Sequence, residues 1–167
     1  MTKKFEKHLA ELLQSERVMA GEIDGLFYII DPYRIIRLSF LYELPAEADV
    51  YPLLKSTAKN YIKFFDTENP DISYKMVELP TVAEIKKNIS DLVGRKRSTV
   101  VYGCEDFAMN ARYLLSVIGV LKCRVCYVPS NKYYPVLFFE NDDLQSVTAE
   151  AIMRVNSQQI GYWVIEE

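Results

Sequence analysis

Glycine, histidine and tryptophan are scarce in this chain, whose 167 residues include six Gly, one His and one Trp. With so few glycines there is no phosphate-cradling glycine loop, and the composition is not that of a disordered or fibrous protein. The lone imidazole excludes HExxH, and no HxE accompanies the CxxC. It also leaves Ser or Cys nucleophiles short of an oriented base. Cysteines are few and odd in number: Cys104, Cys123 and Cys126. The first residues, MTKKFEKHLAELL, are charged and lack an apolar signal core. Together these features point to reduced thiols in a soluble, cytoplasmic protein. No apolar run reaches the ~18 residues of a membrane helix. The net charge of −3 excludes a generally basic nucleic-acid binder and leaves room for a local basic patch.

What is present is an ordinary globular composition, half apolar, with twelve Tyr that favour strands and amphipathic surfaces. The length suits a single domain over 1–167. Its clearest stretch runs from Cys104 to Asn156. Phe107, Ala111, Leu114, Ile118 and Leu121 recur at spacings of three and four, one face of a helix. Asn110 caps that helix if the residues before it are extended; otherwise the helix begins nearer Glu105. Three strands follow, Cys123–Val128, Tyr134–Glu140 and Ser146–Val155, separated by the turn clusters PSNK and NDD. The apolar stripe of the helix and the apolar face of the meander can bury one another.

Upstream, Lys3–Met19 reads as a helix with Phe5, Leu9, Leu12 and Leu13 as its stripe and Gly21 as its stop. Residues 23–42 read as a hairpin turning at Asp31-Pro32-Tyr33, with Arg34 and Arg37 sent to opposite faces. Residues 43–80 look like an insertion, with a short helix from about Pro52 to Phe65 and a strand at Tyr74–Leu79. A helix over Thr81–Val93 follows, with Thr81 and Glu84 as a capping box and Gly94 as its stop. The strand Ser98–Tyr102 comes next. Residues 157–167 add a C-terminal segment, an extra strand or a tail on the sheet.

Chemistry-bearing residues are sparse. Cys123 and Cys126 form a CxxC, but positions three apart on a strand point to opposite faces and no second ligand pair stands nearby, so both read as structural. Cys104-Glu105-Asp106 combines a thiol with two carboxylates, suited to metal binding or acid–base work, or simply to a helix start. His8, on a Lys- and Glu-rich helix, reads as a surface residue. Lys86, Lys87, Arg95, Lys96 and Arg97 form the one clear cationic patch, for phosphate contacts or to complement a helix end. Catalysis, a cofactor or a metal is not indicated.

Three segments resemble the end of the bacterial sliding clamp, the ring-forming beta subunit of the replicative DNA polymerase. They are NARYLL (Asn110–Leu115), YPVLFFE (Tyr134–Glu140) and AIMRVN (Ala151–Asn156). Asp31-Pro32-Tyr33-Arg34-Ile35 stands where that family carries an ATDGHRL-like turn, with Pro32 in place of its glycine and Arg154 in place of its closing proline. The resemblance implies an α+β, DNA-clamp-like domain of two helix-plus-antiparallel-strands halves, the helices side by side on the sheet. It further implies a non-catalytic binding protein, a sliding-clamp-like subunit or clamp relative of DNA replication or repair. The alternative is a protein-interaction or regulatory module of a phage or mobile element that uses the clamp fold without encircling DNA. The implied partners are further copies of the chain and replication-protein peptides, with DNA contact weak or indirect and no membrane. By the same resemblance the peptide pocket would comprise Tyr33, Arg34, Ile35, Asn110, Tyr113, Ile152 and Met153. Arg112, on the helix that would face DNA, joins the basic patch as a phosphate contact.

Overall fold

The computed structural model describes every residue except 94–97, 124, 142, 145 and 167, and the backbone alone of residue 166. Gly94, Arg95, Lys96 and Arg97, together with Asp142 of the second turn cluster, therefore lie outside the described residues.

Helix α1, Lys3–Leu13, starts on Thr2, whose hydroxyl accepts the Phe5 amide at 3.2 Å. Phe5, His8, Leu9, Leu12 and Leu13 form its buried stripe. The helix does not continue to Met19 as its periodicity predicts. Arg17 takes a left-handed φ of 57°, and Met19 opens strand β1, Met19–Ile23, so Gly21 is a strand residue and not a helix stop. Asp24 and Gly25, at φ 51° and 84°, turn β1 into β2, Leu26–Ile30, as a two-residue hairpin. The expected second hairpin then leads to β3, Arg34–Leu38.

The 43–80 segment adds β4 (Tyr51–Pro52), helix α2 (Lys55–Ile62), a 3-10 turn (Lys63–Phe65) and β5 (Tyr74–Glu78). Pro52, expected in a helix, lies instead in a strand parallel to β1. Tyr51 and Leu53 donate their amides to the Val18 and Ala20 carbonyls, so the missing Pro52 N–H falls between two bonds and interrupts neither. Helix α3, Val82–Leu92, is capped by the Thr81 hydroxyl, which accepts the Glu84 amide.

After α3 come β6 (Ser98–Gly103), β7 (Ala108–Asn110), helix α4 (Ala111–Leu121), β8 (Val125–Pro129), β9 (Val136–Phe139), β10 (Ala149–Ile152) and β11 (Gly161–Glu166). Phe107 precedes α4 and packs into its core from a loop. Residues 108–110 are extended, so Asn110 is the cap.

Eight strands form one sheet in the order β4-β1-β2-β3-β10-β9-β8-β5, antiparallel except where β4 meets β1. A second, antiparallel sheet runs β11-β6-β7. The inserted segment thus supplies a strand to each outer edge of the large sheet. Between them lie two units of the same kind, α1 with β1–β3 and α4 with β8–β10. They meet where β3 and β10 pair antiparallel, Arg34 opposite Ile152 and Arg37 opposite Ala149. Helices α1 and α4 lie against each other, with α3 beside α4.

Alternation along the strands divides the core. Ile29, Ile36, Leu38, Phe138 and Ile152 face the helices. Tyr28, Ile30, Ile35, Leu137 and Phe139 face the other way, beneath Ala58 and Phe65 of the inserted segment. Being covered on both sides, β9 and β10 are buried along their whole length. Leu9, Leu12 and Leu114 are wholly buried, and each contributes roughly 2 kcal/mol of apolar burial. No described helix is long and apolar enough to cross a membrane.

Candidate functional site

Three sequence-distant motifs meet at the β3–β10 seam. Asp31 organises the first. Its Oδ1 accepts the amides of Tyr33 and Arg34 at 2.8 and 2.6 Å, fixing the Pro32–Tyr33 turn. Its Oδ2 accepts Nε and Nη2 of Arg34 at 2.9 and 2.7 Å, and Nη2 also reaches Ser15 Oγ at 3.1 Å. The guanidinium so held lies 4.4 Å from the Tyr113 ring centroid. Tyr113 occupies the first turn of α4, whose start Asn110 sets by accepting the Arg112 amide at 2.9 Å. The rings of Tyr33 and Tyr113 lie 6.4 Å apart. The closing strand completes the junction: Ile152 pairs with Arg34, and Met153 donates its amide to the Tyr33 carbonyl at 2.8 Å.

The junction sorts the expected pocket residues into a surface and its supports. Tyr33 and Met153 are 57% and 40% exposed, and Tyr113 is half-buried, with its ring near Tyr33 and over the Arg34 guanidinium. Burial raises the Tyr113 hydroxyl pKa, the nearby Arg34 opposing it, so the phenol stays a neutral donor. Arg34 itself is buried, its fork already filled by Asp31, and it supports Tyr113 without reaching solvent. Ile152 packs into the helix-side core. Ile35 points to the opposite face of the sheet and is not part of this surface. A strand alternates faces, so Arg34 and Ile35 cannot serve one pocket together.

The chain on either side of this surface continues into a cleft of about 720 Å³, lined by Cys104, Asp106, Phe107, Tyr133, Arg154 and Ile160, among others. Cys104-Glu105-Asp106 is not a helix start. The Cys104 amide donates to the Phe107 carbonyl at 2.8 Å, closing the turn between β6 and β7. Asp106 accepts from Lys75 Nζ at 3.0 Å, a hydrogen bond that raises the Lys75 pKa. Among the described residues, no group of three or more His, Cys, Asp or Glu is arranged to hold a metal ion.

Two sequence expectations are corrected here. Cys123 and Cys126 turn into the same helix-side core, because Cys123 lies ahead of β8 where strand alternation has not begun. Burial pushes the Cys126 thiol well above its ordinary pKa, which suits an inert core residue. His8 is not on the surface: its Nε2 lies 2.6 Å from Oε2 of Glu150, both side chains buried. Its position three residues after Phe5 and four before Leu12 places it on the apolar stripe, and that spacing was the available signal.

Of the expected phosphate contacts, Lys86, Lys87 and Arg112 are exposed. Lys86 and Arg112 border one groove between α1, α3 and α4, shared with Glu11. Arg95, Lys96 and Arg97 are outside the described residues. No protein-family model, curated protein or solved structure matches the chain.

Proposed function

We propose that this chain is a clamp-type, non-catalytic binding protein that acts in DNA replication or repair by docking peptide segments of partner proteins on Tyr33, Tyr113 and Met153. One observation carries the reading. The turn at Asp31–Ile35, the helix start at Asn110–Tyr113 and the closing strand at Ile152–Met153 each resemble a sliding-clamp motif, and they come together at one surface point. Two helix-plus-meander units joined at β3 and β10, their helices abreast, agree with it. The surface is chemically apt for an apolar side chain. Tyr33 and Met153 offer area and a pliable thioether, and Tyr113 is held in place by its stack on a locked guanidinium.

An immobilised clamp-binding peptide tests the reading. The wild-type protein should be retained and Tyr113→Ala should not; equal passage of both refutes it. Ring formation is a separate matter, because one domain of this size encircles DNA only as several copies. Sedimentation at high concentration should then give a defined oligomer, and a strict monomer rules out an unaided ring.

The second reading, an interaction or regulatory module that does not encircle DNA, draws support from the helix face. Exposed Lys3, Lys4, Lys7, Lys86, Lys87 and Arg112 are interspersed with exposed Glu6, Glu11, Glu84 and Asp91, and Lys7 pairs with Glu11 at 3.9 Å. Such a mixed face neutralises few phosphates. If that face gives no DNA affinity even at low salt, this second reading stands.

A further inference from the structure

The opposite face of the large sheet carries a group of cations that the docking surface does not use. Arg37 follows Ile36 on β3 and so points away from α1 and α4. Its guanidinium lies 4.6 Å from the Phe65 ring centroid and donates to the carbonyls of Val147 and Ser146 at 2.7 and 2.6 Å. These acceptors are neutral. Burial lowers the Arg37 pKa, the Tyr28 hydroxyl opposes it, and no carboxylate among the described residues contributes. Among the described residues this half-buried cation meets only dipoles, which leaves a charge that an arriving anion would balance.

Lys55, Lys59 and Lys63 line the same groove, about 450 Å³ in volume, in which Asp24 and Asp66 are the only carboxylates among the described residues. Among those residues four cations therefore face two anions in a chain whose net charge is −3. Asp24 is engaged with Lys55 at 3.4 Å, an exposed pair that water screens. Among the described residues, Lys59 and Lys63 form no ion pair. A spacing of four places the three lysines in one row of α2 and its 3-10 extension. At the rise of a helix that row is about 12 Å long. Cations in a row do not converge on one phosphate; they match successive charges of a linear polyanion.

We propose that this groove between α2 and β3 binds the phosphodiester backbone of a nucleic-acid strand, with Lys55, Lys59 and Lys63 as the phosphate contacts and Arg37 as the fixed charge at its base. The site lies between the inserted segment and the face of β3 turned away from the helices, and does not depend on the peptide-docking reading.

Fluorescence anisotropy with a labelled oligothymidylate at low salt tests it. The variant Lys55→Glu/Lys59→Glu/Lys63→Glu alters exposed side chains only, and its far-ultraviolet circular dichroism and melting should match the wild type. It should bind roughly tenfold more weakly or worse, and the slope of log affinity against log salt should fall by about 2, the share of three phosphates. Lys86→Glu/Lys87→Glu/Arg112→Glu, on the helix side, should leave both quantities unchanged. Pyrophosphate at equal phosphate concentration should not displace the strand. Absence of binding overturns the proposal. So does loss confined to the helix-side variant, or displacement by pyrophosphate.

Discussion

Nε2 of His8 and Oε2 of Glu150 lie 2.6 Å apart in the interior, tying the first helix to the last strand of the large sheet. Glu150 sits at the seam, between Ile36 of β3 and Phe138 of β9. His8 Nδ1 and Glu150 Oε1 find no hydrogen-bond partner among the described residues. A pair this buried gains little net stability from its attraction, while removal of one member strands a charge in the core.

The pair makes stability depend on pH. Burial lowers the His8 pKa, but the charge of Glu150 and its hydrogen bond outweigh burial, and Arg34 and Glu11 act in opposite senses, so the pKa ends above 6.5. A raised imidazole pKa gives stability that is full below the unfolded value and is lost as pH rises through the folded one. Urea unfolding between about pH 6 and 9 should therefore show this loss in the wild type, and Glu150→Gln should abolish it. As the only histidine, His8 gives a single imidazole titration by NMR, and a midpoint at or below 6.5 would contradict the account.

Arg34→Met should be among the costlier substitutions. It leaves the buried Asp31 carboxylate without its cation and Tyr113 without its stacking partner, at a cost of roughly 3–5 kcal/mol. The denaturation midpoint should fall accordingly. A loss below about 1 kcal/mol would show that Asp31 is satisfied by the Tyr33 and Arg34 amides alone.

Gly103→Ala tests how the C-terminal strand is held. A β-carbon there would collide with the Gln159 carbonyl and stand 2.7 Å from the Trp163 ring. The backbone around β11 must shift, at a cost of about 1–3 kcal/mol. Since Trp163 is the sole tryptophan, its emission should move to the red as β11 loosens from β6.

The thiols should separate by accessibility. Cys104 is half-buried, whereas Cys123 and Cys126 are core residues and burial raises the Cys126 pKa. Ellman's reagent should modify one thiol in the native protein and all three only in denaturant. Native reaction of Cys126 would contradict the packing.

Local chemistry made much of this architecture legible. Thr81 announced its helix because a short polar side chain at an N-cap has one dominant use, whereas Asn110 was a cap only if the residues before it were extended, which the pairing of β7 with β6 decides. Arg34 and Arg37 go to opposite faces of β3, as the period of two requires. What escaped depended on distant partners. The α1 stripe appeared to continue through Val18 and Met19 because apolar spacing does not register a left-handed residue at Arg17. That reading concealed the Asp24-Gly25 turn and with it β1. His8 is charged by type but placed by Glu150, 142 residues away. Arg37 and the lysines of α2 share a groove only because the inserted segment folds back over the sheet. The burial of Arg34 was not foreseeable, since it depends on Asp31 and Ser15 together.

The most direct test maps a clamp-binding peptide onto the isotope-labelled protein by NMR. The account predicts saturable shifts of the amides of Tyr33, Arg34, Asn110–Tyr113 and Met153, with binding lost in Tyr33→Ala, an exposed residue whose removal leaves the fold intact. Shifts confined elsewhere, or none at saturating peptide, would contradict it.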